Sequence, residues 1–100
     1  MVSRVNFLET TPGRIEDVAR VVRDLVHPGI SGEQGYVGYI VLGDRRDGTA
    51  LGVTLWDTDE ARANSDAKAR TIRPRVEEET GGTMREVRQY DVLFFDVRRD

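Results

Sequence analysis

Two residues within apolar segments carry polar groups of the kind that a small-molecule site uses. Asn6 lies in the middle of the segment Val2–Leu8, where an apolar residue would pack more easily. A buried amide must find hydrogen-bond partners, and this one could orient the carbonyl or phenol of a ligand. Trp56 ends the apolar segment Ala50–Trp56, directly before a predicted helix cap. Its indole offers a flat face and one N–H donor, so it either lines a pocket for an aromatic substrate or closes one end of the core.

Residues required by several other chemistries are missing from the chain. It contains no cysteine and a single histidine, His27. This excludes thiolate nucleophiles, iron–sulfur clusters, cysteine zinc sites and a multi-histidine metal centre within one chain. His27 lies near the predicted end of the first helix, where we expect it to interact with terminal carbonyl groups. The acidic run Glu77–Glu79 is interpreted as a solvated surface. We therefore predict no metal site and no cofactor, and no residue stands out as a general base.

Length and composition indicate one folded domain spanning residues 1–100. The 38% hydrophobic and 33% charged content is typical of globular proteins. The net charge is −3 and the 15 Lys and Arg residues are spread along the chain, so we predict no nucleic-acid binding. No apolar run approaches the roughly 20 residues needed to cross a bilayer, and no secretion signal is recognisable at the N-terminus. The default expectation is therefore a cytoplasmic protein without membrane contact.

Hydrophobic periodicity predicts four strands. They cover the segments Val2–Leu8, Tyr36–Leu42, Ala50–Trp56 and Met84–Val97. The middle two are joined by the hairpin turn Asp44–Gly48, in which the glycine is available for a positive φ angle.

Apolar residues at spacings of three and four predict one helix after the first strand and one after the third. The first helix begins with Thr11 as N-cap and Pro12 as its first residue, and Pro28–Gly29 ends it. The second begins at Asp57 or Thr58 and ends at Gly81–Gly82, and we expect Pro74 to kink or divide it.

The order strand, helix, strand, strand, helix, strand is the split βαβ arrangement. We therefore predict an α+β fold of the ferredoxin-like βαββαβ type, a four-stranded antiparallel sheet with two helices on one face. The second, third and fourth strands are apolar on both sides, but the helices can cover only one. A second copy shielding the other face is the simplest solution, so we predict a homodimer. A monomer with a partly apolar surface is the alternative.

The segment LGVTLWDTDEA, Leu51 to Ala61, resembles the strand, tryptophan and helix start of the antibiotic biosynthesis monooxygenase (ABM) family. The segments VNFLET, PGISGEQGYVGYIVLGD and VRQYDVLFFDV fit the same pattern. Members of that family are dimeric α+β barrels, so the resemblance implies the fold and the homodimer reached above. The wider superfamily includes cofactor-independent monooxygenases, haem-degrading enzymes, isomerases and proteins without known activity. One fold hosts many activities, so the function does not follow from it.

The resemblance implies a cofactor-independent monooxygenase acting on a small aromatic or quinol-like compound. In this interpretation Asn6 and Trp56 are the catalytic residues, and Arg4, Tyr36 and Tyr39 contact the substrate. The haem-degrading branch uses an asparagine, a tryptophan and a histidine on the second helix. No histidine lies on that helix here, so we do not expect haem.

The alternative is a non-catalytic module of the same fold that binds a small molecule or only dimerises. The two interpretations differ in what surrounds Asn6 and Trp56. A ligand site is favoured if the Asn6 amide and the Trp56 N–H point into one enclosed cavity. If the backbone satisfies Asn6 and Trp56 is packed on all sides, the interpretation as a ligand site loses its basis.

Overall fold

A four-stranded antiparallel sheet forms the centre of the computed structural model, which describes residues 1–98. The strands follow the spatial order β2-β3-β1-β4. In chain order they are β1 (Val2–Glu9), β2 (Tyr36–Gly43), β3 (Thr49–Trp56) and β4 (Thr83–Asp91).

The helices occupy the two connections that cross over the sheet. The first connection contains a 3-10 turn, α1, a π-helical segment and α2, at Pro12–Arg14, Ile15–Val21, Val22–Val26 and His27–Ile30. The second contains α3 (Asp59–Asn64) and α4 (Asp66–Thr80). This confirms the predicted ferredoxin-like α+β fold. No helix within residues 1–98 is long and apolar enough to cross a membrane, and the cytoplasmic location stays a prediction.

The register of β1 decides which of its side chains face the helices. Val2 pairs with Trp56 and Leu8 pairs with Ala50 across the β1–β3 ladder. Since these four residues pack with helical residues in the core, the even-numbered positions of β1 point toward the helices. The odd-numbered positions point to the opposite, open face of the sheet.

The core consists of two clusters of buried residues. The leucine cluster contains Leu8, Ile15, Val18, Val21, Val26, Ala50 and Val76. The tryptophan cluster contains Val2, Ile30, Trp56 and Ala69. Along the helix-facing side of β1, Arg4 and Asn6 lie between the two clusters. The apolar core is thus interrupted by two polar side chains at the middle of the central strand.

The first helical connection is longer than predicted, because Pro28 does not end it. Helical structure continues to Ile30, and Pro28 lies in the first turn of α2. The preceding segment Val22–Val26 has the wider π geometry, in which the N–H of His27 bonds to the carbonyl of Val22. Proline lacks an N–H and is tolerated in the first turn of a helix. Pro28 therefore does not interrupt the helix that follows the π segment.

The second helical connection is divided at Ser65 and not at Pro74. Pro74 lies inside the continuous α4 and is exposed. Ser65 is 1% exposed, donates a hydrogen bond to the carbonyl of Arg62 and accepts one from Arg4. A tertiary contact with β1 therefore sets the break.

The ends of the other elements follow the predicted signals with one exception. The Thr58 hydroxyl caps α3 by accepting a bond of 3.0 Å from the N–H of Ala61. Gly48 and Gly81 have φ angles of 82° and 68°, which favour glycine. The exception is β4, which ends at Asp91 and not at Val97. Four apolar residues that follow it are exposed and belong to no strand: Leu93, Phe94, Phe95 and Val97.

Candidate ligand-binding site

A cavity lies between the sheet and the helices. The centre of a water molecule can occupy about 50 Å³ of it. Most of its lining is aliphatic and comes from both core clusters, and the two valines Val22 and Val26 of the π segment contribute to it. Five polar side chains interrupt this lining, and we call them the polar wall: Arg4, Asn6, Tyr39, Thr54 and Arg73.

Arg4 is held firmly through one nitrogen of its guanidinium. Nη2 donates to the carbonyl of Arg62 at 2.7 Å and to the hydroxyl of Ser65 at 2.9 Å. It also lies 3.3 Å from a carboxylate oxygen of Asp66. Nε and Nη1 are buried and have no hydrogen-bond partner within residues 1–98. Burial lowers the pKa of Arg4, and the nearby Asp66 opposes that shift, yet a guanidinium keeps its charge in a protein.

Asn6 and Arg73 are joined by a long hydrogen bond. The Asn6 side-chain oxygen accepts from Arg73 Nε at 3.3 Å, and the Asn6 amide nitrogen donates to the carbonyl of Gly52 at 3.4 Å. Both distances are beyond the usual range of such bonds. Arg73 Nη2 is a third buried nitrogen without a partner in the described part of the chain. Burial lowers the pKa of Arg73 as well.

Tyr39 contributes a neutral hydroxyl to the polar wall. Burial raises the pKa of its phenol to about 12, so it is protonated at neutral pH and is a poor proton acceptor. Its ring lies close to Gly52, where a Cβ would be 3.2 Å from the tyrosine oxygen and would force a small shift of the ring.

Trp56 lies behind this wall and not in the lining of the cavity. Its side chain is fully buried, and its N–H donates to the hydroxyl of Thr54 at 2.9 Å. The edge of the Tyr36 ring packs against it, with ring centroids 5.8 Å apart at 82°. The guanidinium carbon of Arg4 lies 5.8 Å from the indole centroid. The expectation that the Trp56 N–H points into the same cavity as the Asn6 amide is therefore not met. The indole contacts Thr54 and Arg4, and these two side chains line the cavity.

The structure brings three of the five predicted site residues, Arg4, Asn6 and Tyr39, into one cavity. Tyr36 does not join them. Regular alternation would put Tyr36 and Tyr39 on opposite faces of β2. A bulge between Tyr36 and Gly38 changes the register, so that Tyr36 lies opposite Trp56 on the helix-facing side. There it packs against the indole and does not line the cavity. The roles assigned to all five residues stay predictions.

Arg73 and Thr54 were not predicted from the sequence. For Arg73 a signal was present, since it is spaced four residues from Ala69 and three from Val76 on the buried stripe of α4. Thr54 alternates with the predicted Trp56 and shares its face of β3. Among residues 1–98 no group of three or more His, Asp or Glu side chains could hold a metal ion.

Comparison with known proteins identifies the family. A model of the family described as antibiotic biosynthesis monooxygenase matches residues 1–73. The chain belongs to the ABM family. Among curated proteins, this ABM-family chain is 39% identical over 62 residues to an uncharacterized protein found in two strains of Mycobacterium tuberculosis. The match covers 62% of this chain but 28% of that relative, so the chain spans less than a third of the relative's length.

Solved structures support the same fold. A monooxygenase of Streptomyces coelicolor in complex with nanaomycin D has a TM-score of 0.71 at 13% identity, over 98% of this chain and 91% of that one. The haem-degrading protein MhuD of Mycobacterium tuberculosis has a TM-score of 0.69 at 20% identity, over 98% and 100%. SnoaB, a cofactor-independent oxygenase of Streptomyces nogalater, has a TM-score of 0.66 at 17% identity, over 94% of each chain. At these identities the likeness shows the fold alone.

Proposed function

We propose that this ABM-family chain forms a homodimer in which the cavity of each subunit binds a small aromatic or quinol-like compound and promotes its oxygenation without a cofactor. One observation carries the proposal: charged and polar side chains line a mainly aliphatic cavity, and three nitrogens of its two arginines are buried without a partner among residues 1–98. Unpartnered donors of a buried cation are costly, and a ligand oxygen would satisfy them.

The chemistry proceeds from the ionised substrate. A guanidinium beside a phenol favours the phenolate, so Arg4 and Arg73 would promote loss of its proton to water, and the Asn6 amide would help to orient the ring. The electron-rich anion then gives two electrons to O2, and a ring carbon that carries hydrogen forms a C–O bond to the resulting peroxide, which takes up a proton from water. Loss of water from this hydroperoxide removes the hydrogen of that carbon together with the outer O–H and leaves a quinone carbonyl, so one oxygen atom of O2 enters the product and the other leaves as water. No external reductant is needed.

Haem does not fit the residues that line this cavity. The helices α3 and α4 contain no histidine. His27, the single histidine of the chain, is exposed and does not line the cavity. No imidazole is therefore available to haem iron inside it.

Oxygen consumption with a panel of hydroquinones and anthrones tests the activity. The wild type should consume O2 faster than buffer alone, and Arg73→Gln and Asn6→Ala should lower that rate. Arg75→Gln should keep it, because Arg75 lies on the same helix but is exposed and outside the cavity. Equal rates with and without protein for every compound would contradict the oxygenase proposal.

A non-catalytic ligand-binding protein is the second candidate. It is favoured by the lack of a proton acceptor: among the described residues, the lining includes no carboxylate and no histidine, and the Tyr39 phenol has its pKa raised to about 12. In that case calorimetry would detect ligand binding, but the oxygen electrode would record no turnover.

The open face of the sheet supports the homodimer. Ile40 and Leu42 of β2 are 41% and 53% exposed on that face, and Tyr90 of β4 is 45% exposed there. Leu93 and Phe94, just beyond β4, are 95% and 87% exposed. Exposed apolar surface of this kind is covered in many proteins by a second copy. Sedimentation should give a dimer for the wild type and a monomer for the double variant Ile40→Arg, Leu42→Arg; a wild-type monomer at micromolar concentration would contradict the proposal.

A further inference from the structure

The charge of the polar wall indicates what kind of ligand the cavity takes. Arg4 and Arg73 both line it, and no aspartate or glutamate among residues 1–98 does so. The nearest counter-charge to Arg4 is Asp66, whose side chain is 31% exposed. Its other oxygen pairs with the surface residue Arg70 at 2.8 Å. One partly solvated carboxylate thus pairs with two guanidinium groups and is also the nearby negative charge for Arg73, so the cavity keeps a net positive charge.

The unpartnered donors lie on the same two guanidinium groups. They are Arg4 Nε, Arg4 Nη1 and Arg73 Nη2, each buried and without a hydrogen-bond partner within the described residues. Burial separates both guanidinium groups from water and thereby lowers the pKa of each. A bound anion would neutralise the excess charge and accept hydrogen bonds from these three nitrogens.

We infer that the ligand carries a carboxylate, which is held between Arg4 and Arg73 while its ring occupies the aliphatic part of the cavity. The inference rests on the proposed function, because it assumes that the cavity is the ligand site. An ionised carboxylate offers about four lone-pair sites, enough to accept one hydrogen bond from each of the three unpartnered nitrogens. A phenol supplies a negative charge only after its proton has left to water, whereas an aromatic carboxylate is already ionised at pH 7. The small, mainly aliphatic cavity also favours a compact aromatic acid over a phosphate ester.

Three compounds that differ only in one ring substituent test this inference. Gentisate carries a carboxylate on a hydroquinone ring, gentisamide carries the neutral amide, and hydroquinone carries neither. Binding is measured by titration calorimetry and by fluorescence of Trp56, the only tryptophan of the chain. Because Arg4 lies 5.8 Å from the indole centroid, a ligand on Arg4 should change this fluorescence.

Gentisate should bind the wild type roughly tenfold or more tightly than gentisamide, the size expected for a charge-assisted pair. Arg73→Gln should remove most of that preference, and Arg73→Lys should restore part of it. The control Arg75→Gln should keep the full preference. If gentisamide or hydroquinone binds as tightly as gentisate, the inference is wrong and the proposed function stands. If a folded wild-type protein binds none of the three, both fail.

A second variant is expected to strengthen the binding of gentisate, and it tests the inference even if Arg73→Gln does not fold. Asp66→Asn removes the negative charge that lies beside Arg4. It should tighten the binding of gentisate several-fold and leave that of gentisamide unchanged. An equal change for both compounds would overturn the carboxylate assignment, because a mere alteration of the cavity shape affects both.

Discussion

The tryptophan cluster and the polar wall are adjacent on the same face of the sheet but differ in how their polar groups are satisfied. In the cluster, the Trp56 N–H has a hydroxyl partner at 2.9 Å and the ring is fully buried. In the wall, Asn6 makes only bonds of 3.3 and 3.4 Å, and three guanidinium nitrogens have no partner in residues 1–98. Full satisfaction is typical of a structural core. Incomplete satisfaction is typical of a site that is completed by a ligand.

The largest expected effect on stability is in the tryptophan cluster. Trp56→Ala should lower the free energy of unfolding by about 3–5 kcal/mol, because it leaves a large cavity in a dry cluster. Trp56→Phe fills most of that space and should cost less, about 1–2 kcal/mol, mainly for the lost bond to Thr54. Urea denaturation measures both changes. If Trp56→Ala unfolds at the wild-type urea concentration, the indole is not a structural residue and the comparison fails.

The next effect concerns Tyr39 and appears only at high pH. Its phenol has a pKa of about 12 in the folded protein against the usual 10.0, so the folded state holds the proton more tightly than the unfolded state. This stabilisation is fully present below pH 10 and is lost as the pH rises from about 10 to 12, at roughly 2–3 kcal/mol in all. Tyr39→Phe should lack this loss. Urea denaturation of both proteins at several pH values across that range tests this prediction. If the free energy of unfolding falls equally with pH in the wild type and in Tyr39→Phe, the phenol is not buried with a raised pKa.

A smaller effect is expected at the glycine that makes room for Tyr39. In Gly52→Ala the new Cβ would lie 3.2 Å from the phenol oxygen, so Tyr39 must shift, at a cost of about 1 kcal/mol. Gly38→Ala is the matched control on the neighbouring strand, because its Cβ would meet Leu55 at an ordinary 3.8 Å. The Gly52 variant should also bind gentisate more weakly. Equal stability and affinity of the two variants would show that Gly52 does not shape the cavity.

The sequence predicted the parts of this fold that depend on local signals. The structure confirms the predicted turn at Gly48, the predicted N-cap at Thr58 and the predicted helix end at Gly81. Each of these depends only on residues that are close in the sequence. The break at Ser65 could not be predicted, since it depends on a hydrogen bond from Arg4, which lies far away in the chain. Leu93 and its neighbours have the composition of a strand, but β4 ends at Asp91.

Prediction of the site had a similar limit. Strand alternation was enough to place Arg4 and Asn6 on one face of β1. Alternation failed at Tyr36, because the bulge after it cannot be read from residue types. The sequence does not single out Arg73, because a lone arginine on a helix usually faces water. Only the packing of α4 against the sheet shows that one of its nitrogens is buried.

The smallest change in stability is expected at Arg73 of the polar wall, where we expect a large loss of gentisate binding. Arg73→Met removes a cation whose burial lowers its pKa and deletes a buried nitrogen without a partner in the described chain. Replacing such a group by an apolar side chain of similar length is often neutral or stabilising. We therefore expect an unfolding free energy within about 1 kcal/mol of the wild type, measured by urea denaturation. Gentisate binding, measured by calorimetry on the same preparation, should fall at least tenfold.

This pair of results would separate the two regions by experiment. A residue of the tryptophan cluster loses stability when it is truncated, whereas a residue of the polar wall loses affinity and keeps its stability. The converse result for Arg73→Met, a loss of several kcal/mol with unchanged affinity, would make Arg73 a structural residue. Its free nitrogen would then need another explanation, and the carboxylate would have to bind through Arg4 alone.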